Sequence, residues 1–232
     1  MPCRRPRPFV LALVGSESSG KTRLAAALRE RLAAGGEAAA VVDEYLREFC
    51  DAHGRTPQRH EQAAIAAEQT RRIDAACRAL PGAAPEAGTA RDGVVIADTT
   101  ALMTAVYSDI VFGDDSLYAA ALRDHARCGF TLLASPDLPW QADGIQRSGE
   151  RLREAIDSKV RAALHRAGAA FAVIGGTGEA RTEAAWAALS QARVSGSARR
   201  QAVESNALRW RPACDCAPLL LASRTAPAAS DP

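Results

Sequence analysis

The sequence predicts an α/β protein with a mostly parallel five-stranded sheet between two helical layers, and three observations carry that expectation. Short apolar runs at 9–14, 38–42, 94–98, 130–134 and 171–174 alternate with segments of helical periodicity, the pattern of β-α units. The first run empties into a loop bracketed by glycines, which is followed at once by a helix-patterned stretch to Leu32. At 232 residues the chain suits one ordinary domain with room for a substantial core.

The first loop names the chemistry. Gly15-Ser16-Glu17-Ser18-Ser19-Gly20-Lys21-Thr22 matches G-x-x-x-x-G-K-[ST] at every fixed position, in the strand-to-helix setting that the motif requires. The glycines let the loop curl with its N–H groups inward, and the positive end of the next helix faces the same point. Lysine occurs only at Lys21 and Lys159, so the motif does not arise from an abundance of lysine. The expected fold is therefore the P-loop NTPase three-layer fold, with ATP on residues 15–22, Lys21 at the β- and γ-phosphates and the Thr22 hydroxyl on Mg²⁺.

Bulk properties exclude other classes. A formal net charge of +2 gives no global field for nucleic acid, and Arg4, Arg5 and Arg7 form a short, proline-broken arm. That arm with residues 9–14 imitates a signal peptide, but the apolar run is short and ends in the phosphate loop rather than at a small-residue cleavage site. No segment reaches the ~20 apolar residues of a membrane span, and a cytoplasmic enzyme is expected. Of the cysteines, Cys3, Cys50, Cys77, Cys128, Cys214 and Cys216, only the last two are close in sequence, and reduced thiols are expected. The organisation read from the pattern is an N-terminal arm at 1–8, a kinase-sized domain at 9–193 and a partly disordered tail at 194–232.

Along the chain, Gly35-Gly36 stops the first helix and the strand at 38–42 ends on Asp43-Glu44-Tyr45, followed by Arg47-Glu48. In doubly wound sheets ligands bind beyond the carboxyl ends of strands, which places these acids at the phosphate-loop crevice. Either Asp43 or Glu44 is then a general base for a substrate hydroxyl; the alternative is a solvated helix-start carboxylate. Thr56-Pro57 predicts the start of a long helix to Leu80, and 81–92 a surface connection. The strand at 94–98 delivers Asp98, the expected Mg²⁺-site acid, with Thr99 and Thr100 as candidate helix caps.

A helix from Thr99 to about Val111 follows, and Ser116 is expected to cap another at 117–127. The fourth strand leads to a stretch from Pro136 to Arg151 rich in prolines, glycines, acids and arginines. It reads as a mobile lid in which Arg147 and Arg151, four apart on one helical face, neutralise the transferring phosphoryl group. Trp140 either stacks on an aromatic substrate ring or plugs the core. After a helix at about 150–167 and the fifth strand, Gly175-Gly176-Thr177-Gly178 either passes beside an adenine base or is a turn into a helix at 181–193. Ser195-Gly196-Ser197 reads as a boundary, with a further helix at 201–210.

Taken in order, GSESSGKT, DEYLRE, VVIADTTALMTAVYSDIVFG and PDLPWQADGIQR resemble the NadR-like nicotinamide riboside kinases, the P-loop family related to the C-terminal domain of bifunctional NadR. The resemblance covers about 9–193. It implies ATP-dependent phosphorylation of the ribose 5′-hydroxyl of nicotinamide riboside to nicotinamide mononucleotide, in NAD salvage. By motif it implies ATP and Mg²⁺ at residues 15–22, Glu44, Tyr45 and Arg47 lining the substrate side, Asp98 at the metal or ribose, and Trp140, Asp143 and Arg147 in the lid region. The family's W-x-x-D-G-x-R has arginine where this chain has Gln146, with Arg147 one residue later, which leaves the identity of the lid arginine open. No H-x-G-H motif accompanies it, so no adenylyltransferase activity is expected.

The expected partner is a small-molecule nucleoside, with no nucleic acid and no membrane; the oligomeric state is not readable. A cationic nicotinamide ring wants an aromatic face and nearby carboxylates, and Tyr45, Tyr107 and Trp140 are the aromatic candidates. Two other readings use the same loop: a kinase of another nucleoside or small alcohol, and a P-loop ATPase acting as a regulatory switch through the tail. A guanine-reading N-K-x-D motif is absent, and Cys214 with Cys216 lacks the further ligands of a zinc site.

Overall fold

Each of the five apolar runs forms a strand: β1 (Phe9–Val14), β2 (Ala39–Val42), β3 (Val94–Asp98), β4 (Phe130–Ala134) and β5 (Phe171–Ile174). The computed structural model describes residues 8–80, 93–140 and 152–209, with side chains through residue 196. The strands make one sheet in the order β2-β3-β1-β4-β5, every pairing parallel. Parallel strands need crossovers over the faces, so the central ones are covered on both sides, and β1 and β3 are buried along their whole length. The result is the α/β P-loop fold that the sequence predicts.

Alternation along β1 sorts the helices between the faces. Leu11 and Leu13 pack with Leu24, Leu28 and Leu32 of α1 (Lys21–Ala34) and Leu189 of α7 (Gly178–Arg209). Val14 packs on the other face with Leu102, Met103 and Val106 of α4 (Ala101–Phe112) and Ile156 and Val160 of α6 (Arg153–Arg166). Val10 shares that second face with Ile73 of α3 (Gln62–Ala79). Two shorter helices, α2 (Tyr45–His53) and α5 (Tyr118–His125), complete the described elements.

Helix ends depart from the expectations. Thr56-Pro57 does not open α3: Gln58 and Glu61 cap each other reciprocally across a 3₁₀ turn (Arg59–Glu61), and the helix starts after it. Arg55 reinforces that turn by gripping the Glu61 carboxylate through two nitrogens at 2.7 and 2.8 Å. Thr100 precedes α4 without a side-chain cap, because its hydroxyl is engaged 3.1 Å from His125 Nδ1. Ser116 does not cap α5 either, since Leu117 is the cap residue and the Ser116 N–H donates to Asp114 Oδ1.

At 195–197 the expected boundary is absent and α7 runs on to Arg209. One glycine in a helix costs only about 1 kcal/mol, and its neighbours include alanine, arginine and glutamine, all good helix formers. The chain nevertheless divides after Gly196 into two compact units. Residues 81–92, expected as a surface connection, and 141–151, the heart of the expected lid, lie outside the described residues. No described helix is long and apolar enough to cross a membrane.

Candidate active site

Parallel register brings three strand ends to one place. Leu13 stands opposite Asp98, and Val14 opposite Leu133, so the phosphate loop leaves the sheet between the ends of β3 and β4. The Thr99 N–H donates to the Leu13 carbonyl at 3.1 Å and fastens the β3 end to β1. Thr99 has φ +84°, a left-handed conformation that costs a residue other than glycine.

The loop itself demands glycine twice. Gly15 has φ +143°, and a Cβ there would stand 2.6 Å from the Ala134 carbonyl oxygen. Gly20, with φ +78°, leads into α1, and a Cβ there would meet Leu138 Cδ1 at 2.9 Å. Ser18 takes φ +54° between them, while the Ser19 hydroxyl donates to the Ser16 carbonyl at 2.7 Å and braces the curve. Lys21 is 7% exposed, and its ammonium donates to the Gly15 and Ser16 carbonyls at 3.0 and 2.9 Å. The first turn of α1 carries no acid and its cap residue no side-chain bond, which leaves backbone N–H groups and the helix dipole for an anion.

Beside the loop, Thr22 Oγ1 donates to Asp98 Oδ2 at 2.5 Å. Asp98 is 2% exposed and its Oδ1, like the Ser16 hydroxyl, is buried with no hydrogen-bond partner. An orphaned carboxylate oxygen next to a threonine hydroxyl is a hard oxygen donor set with capacity unused. Among the described residues no group of three or more His, Cys, Asp or Glu side chains could hold a metal ion. Two protein oxygens suit Mg²⁺, which keeps waters and takes substrate phosphate oxygens for its other positions.

On the β2 side Asp43 is exposed, and Glu44, its side chain 9% exposed, accepts a bond from Arg47 Nε at 3.0 Å. A residue that sequence reasoning passed over fixes their backbone. Gln69, 2% exposed on α3, accepts from the Tyr45 N–H at 2.8 Å and donates to the carbonyls of Asp43 at 3.2 Å and Thr99 at 3.3 Å. The ends of β2 and β3 are thereby joined through one amide. Its signal in the sequence is a polar residue in the buried stripe Ile65, Gln69, Ile73.

The aromatic candidates separate. The Arg72 guanidinium lies 4.4 Å from the Tyr45 ring centroid, and Arg72 is itself held by Glu48 at 2.5 and 3.0 Å and Glu68 at 2.8 Å. Hydrogen bonds from Arg71 and Arg72 hold the Glu68 carboxyl down at about 2. Tyr107 is half-buried against the cluster that contains Val14, next to Gly15. Trp140 is half-buried at the end of a described segment. Asp143, Arg147 and Arg151 lie outside the described residues.

Two other arginines do reach the loop. Arg153, 5% exposed at the start of α6, donates to the Leu138 carbonyl at 2.9 Å and the Ser18 carbonyl at 3.5 Å. Arg181, 4% exposed in the first turn of α7, donates to the Ser19 carbonyl at 2.8 Å. Neither stood out in the sequence, because an arginine in a helical first turn reads as solvated. Only the crossovers bring α6 and α7 back to the end of β1.

The sequence matches the family described as an AAA domain over residues 10–181. No curated protein matches it significantly. Among solved structures, a NadR protein in complex with NAD and AMP-PNP has a TM-score of 0.59 at 22% identity, over 79% of this chain and 49% of that one. A NadR protein in complex with NR has a TM-score of 0.62 at 19% identity, over 79% of this chain and 50% of that one. The chain spans about half the length of those two proteins, and the likeness is one of fold.

Proposed function

This chain belongs to the AAA domain family, and from that premise we propose that it is an ATP-dependent kinase that phosphorylates the ribose 5′-hydroxyl of nicotinamide riboside to nicotinamide mononucleotide. The observation that carries the reading is the Thr22–Asp98 pair at the mouth of the phosphate loop, with Asp98 Oδ1 buried and unpartnered. A structural acid would have its oxygens satisfied; one that ligates Mg²⁺ keeps an oxygen for it. The solved NadR complexes contain AMP-PNP, NAD and NR, which supports both the donor and the acceptor class.

Residues 15–22 enclose the β- and γ-phosphates, and Lys21 exchanges its two loop carbonyls for phosphate oxygens. Thr22 and Asp98 hold Mg²⁺, which when bound offsets charge on the β- and γ-oxygens. The acid pair at the end of β2 orients the substrate hydroxyl and takes its proton. Glu44 is already paired with Arg47, which suits it to holding the ribose, while Asp43 is the exposed carboxylate of the two. Arg153 lies against the Ser18 carbonyl and joins Arg147 and Arg151 as a candidate to stabilise the transferring phosphoryl group. Cytoplasmic localisation and a free nucleoside as partner belong to the same proposal.

One observation favours a second reading. Arg72 sits on the Tyr45 ring, so a cationic nicotinamide must use the other face of Tyr45, or Tyr107, or Trp140. An uncharged nucleoside has no such need. ATP consumption by the purified protein with Mg²⁺, with and without nicotinamide riboside, followed by product mass, tests the choice. Formation of nicotinamide mononucleotide that disappears in Lys21→Ala supports the proposal. Turnover only with another nucleoside moves the substrate, and slow hydrolysis with no phosphorylated product supports the regulatory switch.

A further inference from the structure

One guanidinium joins three separate loops at the edge of the site. Arg181 Nη2 donates to the carbonyls of Ser19 at 2.8 Å and Ser135 at 3.1 Å, and its Nη1 to Asp137 Oδ1 at 2.8 Å and the Gly176 carbonyl at 2.9 Å. Asp137 closes the ring, its Oδ2 accepting the Gly176 N–H at 2.6 Å. A Cβ on Gly175 would stand 2.9 Å from that same oxygen, so the turn after β5 is drawn tight onto the carboxylate. Burial pushes the Asp137 carboxyl up, but the Gly176 N–H and the Arg181 guanidinium outweigh it and hold the group below the usual carboxylate range.

A guanidinium this buried is costly for the fold unless several acceptors meet it, and an apolar side chain would fill the same space at less risk. Arginine's planar fork can span carbonyls from different segments, which neither lysine nor an apolar residue does. The three segments are the phosphate loop, the turn after β4 and the turn after β5. In the strand order β2-β3-β1-β4-β5, those two turns lie on one side of the phosphate loop. Asp43, Glu44 and Asp98 end the strands on the other side.

On the kinase reading above, the acceptor hydroxyl enters beside those acids. In-line transfer sends the leaving nucleoside diphosphate away from them, over the turns after β4 and β5. We propose that Arg181 is a positioning residue which, with Asp137, fixes these two turns against the phosphate loop so that they select the base of the phosphate donor. Arg181 touches no substrate in this arrangement. It sets the distance between the part of the site that grips polyphosphate and the part that meets the purine.

Base selection separates from phosphate binding in a titration of wild type, Asp137→Asn and Arg181→Lys with Mg²⁺-ATP, Mg²⁺-GTP and Mg²⁺-tripolyphosphate. Asp137→Asn alters a partly exposed side chain and leaves the Arg181 bond to Ser19 able to form, so it keeps the test standing if Arg181→Lys fails to fold. Both variants are expected to weaken ATP about tenfold and tripolyphosphate less than about threefold, and to narrow the preference between ATP and GTP. Parallel losses for ATP and tripolyphosphate, or unchanged ATP affinity in Asp137→Asn, overturn the proposal and leave the kinase reading intact. A wild-type protein that binds neither ligand overturns both.

Discussion

Thr22 and Asp98, 76 residues apart in the chain, meet through a 2.5 Å hydrogen bond between the first turn of α1 and the end of β3. The other Asp98 oxygen is buried and unpartnered, so the fold carries a charge that it does not fully solvate. Asp98→Asn is expected to lower kcat by roughly 10²-fold or more while leaving the melting temperature of the ligand-free protein unchanged or higher. Thermal melts with and without Mg²⁺-ATP check the assignment. Wild type gains stability from the ligand by mass action, and the variant loses most of that gain. A variant that melts much lower but turns over normally makes Asp98 a structural acid.

Asp43 and Glu44 are adjacent in sequence and differ in surroundings, which predicts different kinetic signatures. Asp43→Asn is expected to lower kcat by roughly 10² to 10⁴ with little change in KM for the nucleoside, the mark of a lost general base. Glu44→Gln frees Arg47 and is expected to raise KM more than it lowers kcat. Steady-state kinetics on both variants decide the assignment, and the opposite pattern exchanges the two roles.

Gln69 supports both acids from behind, and replacing it tests how far the site depends on its backbone. Gln69→Leu keeps the volume and removes the partners of Tyr45 N–H, Asp43 C=O and Thr99 C=O. A loss of about 2 to 4 kcal/mol in denaturant unfolding is expected, since buried polar groups are left unpaired. The ends of β2 and β3 should loosen together, so KM for the nucleoside rises with little change in affinity for ATP. Equal losses for both ligands would instead mean a general collapse of the fold.

These residues also mark where the sequence speaks and where it is silent. Residues 15–22, Asp98 and the five strands could be read because each is a local pattern: a fixed spacing, an apolar run, an acid at a strand end. Gln69, Arg153 and Arg181 could not, because their work is to join segments that only the sheet order brings together. Gln69 spans 30 residues to Thr99 and Arg181 spans 162 to Ser19. Helix starts failed for a related reason. Thr100 has a good capping side chain by type, but its hydroxyl goes to His125, a tertiary partner that no local rule anticipates.

His125 gives the pH prediction. It is 3% exposed, with Nε2 2.9 Å from Thr131 Oγ1 and Nδ1 3.1 Å from Thr100 Oγ1, and burial lowers its pKa from 6.5 to about 4. Two hydroxyls serve a neutral imidazole, since one can accept and the other donate, whereas an imidazolium would need two acceptors. The unfolded chain binds a proton below about pH 6.5 that the folded chain refuses until about pH 4. Stability is therefore full above the unfolded value and falls with acid through this window, by up to roughly 3 kcal/mol at its lower end. The carboxyls of Glu61 and Glu68, held at about 2 from 4.5, add their own losses only below about pH 4.5, so the interval from pH 6.5 to 5 isolates the histidine. Urea unfolding at pH 7.5, 6.5, 5.5 and 5.0 should show this slope in wild type and a flatter profile in His125→Gln, which keeps a donor and an acceptor without the titration. Equal slopes in the two proteins would place the acid sensitivity elsewhere in the chain.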